Sequence, residues 1–241
     1  GLKDWFVFPH MGDGGLALGA AMQVNFELNS VSRYDFSSIY FGTEYSDEEI
    51  ESELKAGKVK YSKRDGIEKE VGDLISNDKI VMWFQGRMEY GPRALGNRSI
   101  VASASKKDVK DTLNIMLKRR DWFQPFCPSV LEEEAHKFFK DVGRFDRFMT
   151  MGYMTRENAR KGLEAVMNVD NSVRPQMLGA ENQLYRRMIE QVKKNTGDGI
   201  ILNTSFNIHG FPIVMTPKDA ISSFKTTKAG YLAIGNFLAK Q

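Results

Sequence analysis

The sequence holds one cysteine, Cys127, and three histidines, His10, His136 and His209. A lone thiol excludes an internal disulfide and fits a reducing compartment such as the cytoplasm. The histidines stand at no metal-ligand spacing, and His136 falls on a predicted helix surface, so a histidine-built metal centre is not expected from these residues. No run approaches the roughly 18 apolar residues of a membrane-spanning helix. Charge of one sign is also scarce. Lys plus Arg number 34 and Asp plus Glu 31, a net charge of +3. That balance argues against a nucleic-acid binder, and any anion site has to come from local clustering. Internal repeats and low-complexity tracts are absent.

What is present suits one large domain. The chain has 241 residues, 41% of them apolar, enough to bury a sizeable core. Residues 16–26 (LALGAAMQVNF) read as a helix after the glycines of PHMGDGG, and a short apolar segment, WFVF, precedes them. Residues 44–78 read as two surface helices, with Ile50 and Leu54, then Val71, Leu74 and Ile75, at helical spacing; Ser46 with Glu49 forms a capping box. KIVMWF reads as a buried strand, 107–118 as a helix, PSVL as a short buried strand and EEEAHKFF as a helix opening. RFMTMGYM is β-prone. An amphipathic helix is expected near 180–194, then a buried strand, GIIL, and a polar loop, NTSFNIHG. Thr216, Pro217 and Asp219 open another helix as N-cap, first and third residues. AGYLAIGNFLA ends the chain as a strand and turn. This irregular alternation predicts an α/β or α+β sheet domain.

Three polar stretches stand where ligands collect in such sheets, at strand ends beside helix N-termini. The first, residues 86–99, reads GRMEYGPRALGNRS. It sets Arg87, Arg93 and Arg98 among Gly86, Gly91 and Gly96, with Pro92 stiffening the turn. Guanidinium forks grip phosphate or carboxylate bidentately, although Arg87 or Arg98 could equally pair with Glu89 or cap a carbonyl. The second is Asn203-Thr204-Ser205-Phe206-Asn207, either an oxygen-holding loop or an ordinary Asx turn. The third is Gly12-Asp13-Gly14-Gly15, either a phosphate or metal turn or a plain helix cap. Lys118-Arg119-Arg120 is a basic run whose place at a helix end is largely explained by the helix dipole. Cys127, between Phe126 and Pro128, reads as a core thiol.

Taken in order, FQGRMEYGPRALGNRSI, DWFQPFCPSVL, VDNSVRPQ, ILNTSFNIHGFPIVMTPKDAISSF and AIGNFLA resemble the C-terminal part of the NodU/CmcH-type carbamoyltransferases over nearly the whole chain. PHMGDGGLALGAA resembles the closing segment of that family's N-terminal, Kae1-like (ASKHA-type) domain. The resemblance implies a YrdC-like twisted open mixed sheet with flanking helices over residues 31–241, preceded over 1–30 by a remnant of the N-terminal domain. The chain then reads as a fragment lacking a complete transfer site.

The resemblance implies a two-step reaction. Carbamoyl phosphate and ATP give a carbamoyl-adenylate, phosphate and pyrophosphate, and the N-terminal domain then transfers the carbamoyl group to a small-molecule hydroxyl. Arg93, Arg174, Asn203 and Ser205 take the central roles. Arg87, Arg98, Arg120, Thr204, Asn207, Gly14 and Gly15 are supporting or nucleotide-binding residues. Asp13 would complete an iron-type metal site whose histidines lie upstream, and Mg would accompany ATP. The family commonly has FRPF where this chain has Phe123-Gln124-Pro125-Phe126. Either Arg119 or Arg120 replaces the cation expected at 124, or carbamoyl phosphate binding is weakened. Two other readings stay open: a threonylcarbamoyl-adenylate synthase using threonine and bicarbonate, and a non-catalytic RNA- or anion-binding module.

Overall fold

The computed structural model describes residues 6–227 and 229–241. The start of the WFVF segment, at Trp5, lies outside them. In chain order the elements are α1 (Leu16–Asn29), α2 (Asp47–Ala56), β1 (Tyr61–Lys63), α3 (Ile67–Ser76), β2 (Val81–Phe84), β3 (Arg98–Ser103), α4 (Lys107–Thr112), β4 (Cys127–Leu131), α5 (Ala135–Phe138), β5 (Tyr153–Met154), β6 (Ser172–Val173), β7 (Gln176–Leu178), α6 (Gln183–Thr196), β8 (Ile200–Ser205), α7 (Pro217–Thr226), β9 (Tyr231–Ile234) and β10 (Phe237–Lys240).

Alternation along the strands builds two cores. In β2, Val81 and Trp83 face one side of the sheet and Met82 and Phe84 the other, and all four are buried. The Trp83 side is covered by α3 and α6, through Ile67, Val71, Tyr185 and Ile189. The Phe84 side is covered by α2 and α7, through Ile50, Leu54, Ile221 and Phe224. Between these layers lies an eight-stranded sheet in the order β1-β10-β9-β2-β3-β8-β4-β7, with β5 and β6 paired separately. The β2–β9 and β4–β7 pairs are parallel and the others antiparallel, so the sheet is mixed and flanked by helices, as expected.

Several local predictions hold in detail. Ser46 with Glu49 and Thr216 with Asp219 both form complete capping boxes, and Pro217 opens α7. The 107–118 helix is α-helical to Thr112 and π-helical over Leu113–Lys118. As a surface helix α3 keeps Lys69 and Asp73 exposed, and its buried face also packs along α6, so closely that a Cβ on Gly72 would come within 2.7 Å of Gln191. Other expectations change. The AGYLAIGNFLA segment is a two-stranded hairpin turning at Gly235, whose φ is +53°. RFMTMGYM contributes only the two residues of β5.

The main correction concerns NTSFN. Asn203, Thr204 and Ser205 complete β8 and do not form a loop, because β3 and β4 pair with that strand on both sides: Asn203 faces Val101 and Cys127. Helix α1 forms as expected, with none of its side chains buried. No helix among the described residues is long and apolar enough to cross a membrane.

Candidate functional site

The arginine loop between β2 and β3 is held by one buried carboxylate. Glu89 Oε1 accepts the backbone N–H groups of Leu95 (2.6 Å), Asn97 (2.8 Å) and Arg98 (3.2 Å). Burial pushes its carboxyl above the usual range, and these N–H donors oppose that shift. Gly96 turns the chain at φ +105°, where a Cβ would sit 2.4 Å from the Tyr185 ring, so this position admits glycine alone.

Arg98 takes a structural role, which corrects its expected place among the ligand-binding residues. It is fully buried. Nη1 donates to the carbonyls of Gln85 (2.7 Å), Gly86 (3.1 Å) and Asn97 (3.0 Å), and Nη2 to Thr43 (3.1 Å). Its guanidinium stacks 3.7 Å from the Phe84 ring centroid. Burial lowers its pKa to about 10, so it remains a cation at neutral pH. Both Nη groups are spent on loop carbonyls, and Arg98 does not line the pocket that holds Arg93. Arg87 is exposed outside the pocket and donates to the Phe41 carbonyl at 3.1 Å.

Arg93 points elsewhere. Together with Arg120, Arg174, Asn203, Thr204 and Ser205, it lines a pocket of about 120 Å³ that also includes Cys127. Four chain segments converge there. The β2–β3 loop brings Arg93, the turn before β4 brings Arg120, the link between β6 and β7 brings Arg174, and β8 supplies the floor. Burial lowers the Arg93 pKa, and the like charge of Arg174 lowers it further. Burial also lowers that of Arg120. Arg174 Nη2 donates to Cys127 Sγ at 3.2 Å. No carboxylate among the described residues pairs with Arg93, Arg120 or Arg174, so three guanidinium groups share one small pocket uncompensated.

Arg120, and not Arg119, occupies the region where Gln124 lacks a cation. Buried Asn114 arranges this. Its Oδ1 accepts from Arg120 Nε at 2.7 Å, and its Nδ2 donates to the Gln124 carbonyl at 2.9 Å. The Arg120 guanidinium then lies 4.6 Å over the Phe126 ring centroid.

Lys118 was not singled out from its basic run, yet it is buried against the end of β8. Nζ donates to the Ser205 carbonyl, to Asn207 Oδ1 (2.8 Å) and to the Asn207 carbonyl (3.0 Å), with Ser205 Oγ at 3.3 Å. Burial and the neighbouring Arg120 lower its pKa to about 7. Asn207 therefore serves to order the strand end, with its Nδ2 donating to the Phe211 carbonyl at 2.7 Å. Sequence reasoning also missed a buried polar cluster beneath the floor. Ser129 Oγ donates to Gln176 Oε1 (2.8 Å) and accepts from Tyr185 (3.0 Å), while Gln176 Nε2 donates to the Leu95 carbonyl (2.9 Å). The available signal was a serine inside the apolar run PSVL and a glutamine two residues after Arg174.

Gly14, Gly15 and Asp13 lie apart, in a single 3₁₀ turn that leads into α1. A Cβ on Gly14 would meet the His10 ring at 2.1 Å, and one on Gly15 would meet the His10 carbonyl at 1.9 Å. Chain packing thus explains both glycines without a nucleotide. Among the described residues no group of three His, Cys, Asp or Glu side chains could hold a metal ion, so the described residues do not by themselves complete a metal site at Asp13. A larger cavity, about 760 Å³, is lined by Phe6, Phe36, Arg33, Asp35, Asp146 and Arg147 among others. Carboxylates there accompany the arginines, and Asp146 is already bonded to the backbone of Phe148, Thr150 and Met151. The smaller pocket, with uncompensated cations, is the better anion site.

Comparison with known proteins gives the chain its relatives. Nodulation protein NolNO of Sinorhizobium fredii is 39% identical over 99% of this chain and 36% of its own length. An uncharacterised protein of Methanocaldococcus jannaschii is 38% identical over 99% of this chain and 40% of its own. Nodulation protein U of Rhizobium fredii is 32% identical over 85% of this chain and 34% of its own. The chain therefore spans well under half the length of these relatives. Among solved structures, HypF of T. kodakarensis matches 66% of this chain and 20% of its own, with a TM-score of 0.49 and 16% identity. The Carbamoyltransferase C-terminus family matches residues 72–241, which include Arg93, Arg120, Arg174 and Asn203, and the chain belongs to that family.

Proposed function

We propose that this chain is the part of an ATP-dependent O-carbamoyltransferase that binds carbamoyl phosphate and forms carbamoyl-adenylate. The observation that carries this reading is the convergence of Arg93, Arg120 and Arg174, without acidic partners, on one pocket. Like charges held together in a partly desolvated site repel, and a dianion relieves that repulsion while accepting directional hydrogen bonds. At about 120 Å³ the pocket suits a compact anion, not a whole nucleotide. The ATP phosphates would approach its mouth.

The reaction balances with water as co-reactant. Water cleaves carbamoyl phosphate to carbamate and phosphate. A carbamate oxygen then attacks the α-phosphorus of ATP, and the bond to the β-phosphate oxygen breaks to release pyrophosphate. Both steps develop negative charge on oxygen, which fixed guanidinium groups stabilise without a nucleophilic side chain. The pocket lining fits this role, with Thr204 and Ser205 adding hydroxyl partners. Mg accompanies ATP in this reading, and the acceptor hydroxyl is bound by a segment outside this chain. The lone thiol fits a cytoplasmic setting. The test is mutual dependence: pyrophosphate release requires carbamoyl phosphate, and phosphate release requires ATP. Pyrophosphate release at the same rate without carbamoyl phosphate overturns the proposal.

A further inference from the structure

Carbamate formation in this pocket needs no nucleophilic side chain, yet one stands in its wall. Cys127 is half-buried and lines the cavity together with Arg93, Arg120 and Arg174. Arg174 Nη2 donates to its Sγ at 3.2 Å. The thiolate is the form of cysteine that reacts, and a charged donor on sulfur, with no described carboxylate competing for it, supports negative charge there.

A second group faces the same spot. Asn203 pairs directly with Cys127 across β8 and β4, so the two side chains rise from one face of the sheet, and both line the pocket. Asn203 is 2% exposed. Its Nδ2 donates to the Ala94 carbonyl (3.1 Å) and to Ser129 Oγ (2.9 Å), which leaves Oδ1 a buried acceptor with no partner. The wall thus sets a thiol between guanidinium donors and an unused acceptor. An oxygen carrying one hydrogen, placed on that sulfur, uses both.

We propose that Cys127 is a modification site for peroxides, and that its sulfenic acid closes the anion pocket. The inference needs the pocket to bind an anion but is independent of which anion is the substrate. The sulfur attacks one peroxide oxygen. The S–O bond forms as the O–O bond breaks, and sulfur gives two electrons to the peroxide. The departing hydroxide takes up the thiol proton and leaves as water. Fixed guanidinium groups stabilise the charge on that departing oxygen. The sulfenic O–H then donates to Asn203 Oδ1, and its oxygen accepts from the arginines. In a cavity of about 120 Å³, an oxygen anchored to the wall takes the room of a compact anion. Cys127 is the only cysteine of the chain, so no internal disulfide forms and an external thiol reverses the change.

The experiment exposes the 241-residue chain to hydrogen peroxide, traps sulfenic acid with dimedone and reads Cys127 by mass spectrometry, with N-acetylcysteine as the reference thiol. Untrapped samples are titrated calorimetrically with inorganic phosphate. Cys127 should oxidise about tenfold faster than the reference or more, and both added phosphate and Arg174→Leu should slow it. The oxidised chain should bind phosphate about tenfold more weakly or worse, with recovery in dithiothreitol. Oxidation no faster than that of N-acetylcysteine overturns the proposal, as does unchanged phosphate affinity in a chain oxidised at Cys127. Cys127→Ala, compared with its own untreated sample, should be indifferent to peroxide; a loss of affinity there assigns the effect to methionine and overturns the proposal too. If the untreated chain binds no phosphate, the anion pocket and its closure fall together, and the oxidation rate alone decides whether Cys127 is a modification site.

Discussion

Lys118 Nζ stands 2.8 Å from Asn207 Oδ1, which ties the end of the π-helical turn to the strand end that carries Asn203 and Ser205. Burial and Arg120 lower the lysine from 10.5 to about 7. Two opposite pH trends follow. Between pH 7 and 10.5 the unfolded chain holds this proton more tightly than the folded one. The group's contribution to stability is therefore full above 10.5 and is lost as pH falls through 7. Anion binding runs the other way, because a nearby positive charge disappears as pH rises past 7. Carbamoyl phosphate affinity should fall between pH 7 and 9, with proton uptake on binding. Lys118→Met should flatten both trends, and calorimetry in buffers of different ionisation enthalpy measures the uptake.

The arginines of one short loop divide into two kinds, and substitution separates them. Arg93→Ala and Arg174→Ala should each weaken phosphate binding by about tenfold to a hundredfold, with little change in melting temperature. Arg98→Ala should instead destabilise the fold by about 3 kcal/mol or more, since four backbone carbonyls lose their donor. Thermal melts beside phosphate titrations distinguish the two outcomes.

Glu89 gives a stability test with a built-in control. Glu89→Ala removes the acceptor of three backbone N–H groups, a loss of roughly 3 kcal/mol. Glu89→Gln keeps a carbonyl oxygen at the same place and drops the buried charge, so it should retain most of the stability. Urea denaturation of both variants checks the order.

Much of the fold was readable in advance because its signals are local. Both capping boxes, the β2 and β4 strands, the α6 helix and the Pro217 start are short-range patterns, and each appears where the spacing put it. The NTSFN segment misled because small polar residues normally mark turns, whereas β3 holds Asn203–Ser205 in the sheet and β4 pairs with Asn203 from the other side. The partial legibility of the site has the same physical cause. Arg93, Arg120, Arg174 and the 203–205 segment could be named from the chain, and they do converge. Arg98 takes the carbonyl-capping alternative that its loop left open, whereas the reach of Lys118 to Asn207 and the place of Cys127 beside Arg174 are long-range facts that no local pattern encodes.

Cys127 was read as a core thiol, but it is half-buried at the pocket wall. As the chain's one cysteine it is a clean reporter. Bound carbamoyl phosphate or phosphate should slow its alkylation by N-ethylmaleimide several-fold, and Arg93→Ala should reduce that protection. Mass spectrometry of the time course reads the modification directly.

The most direct measurement of the central claim is exchange of labelled pyrophosphate into ATP, catalysed by this chain, with Arg93→Ala as control. Exchange is expected to require carbamoyl phosphate, to ignore threonine with bicarbonate, and to fall at least tenfold in Arg93→Ala. Exchange driven by threonine and bicarbonate, or exchange untouched by loss of Arg93, would contradict it.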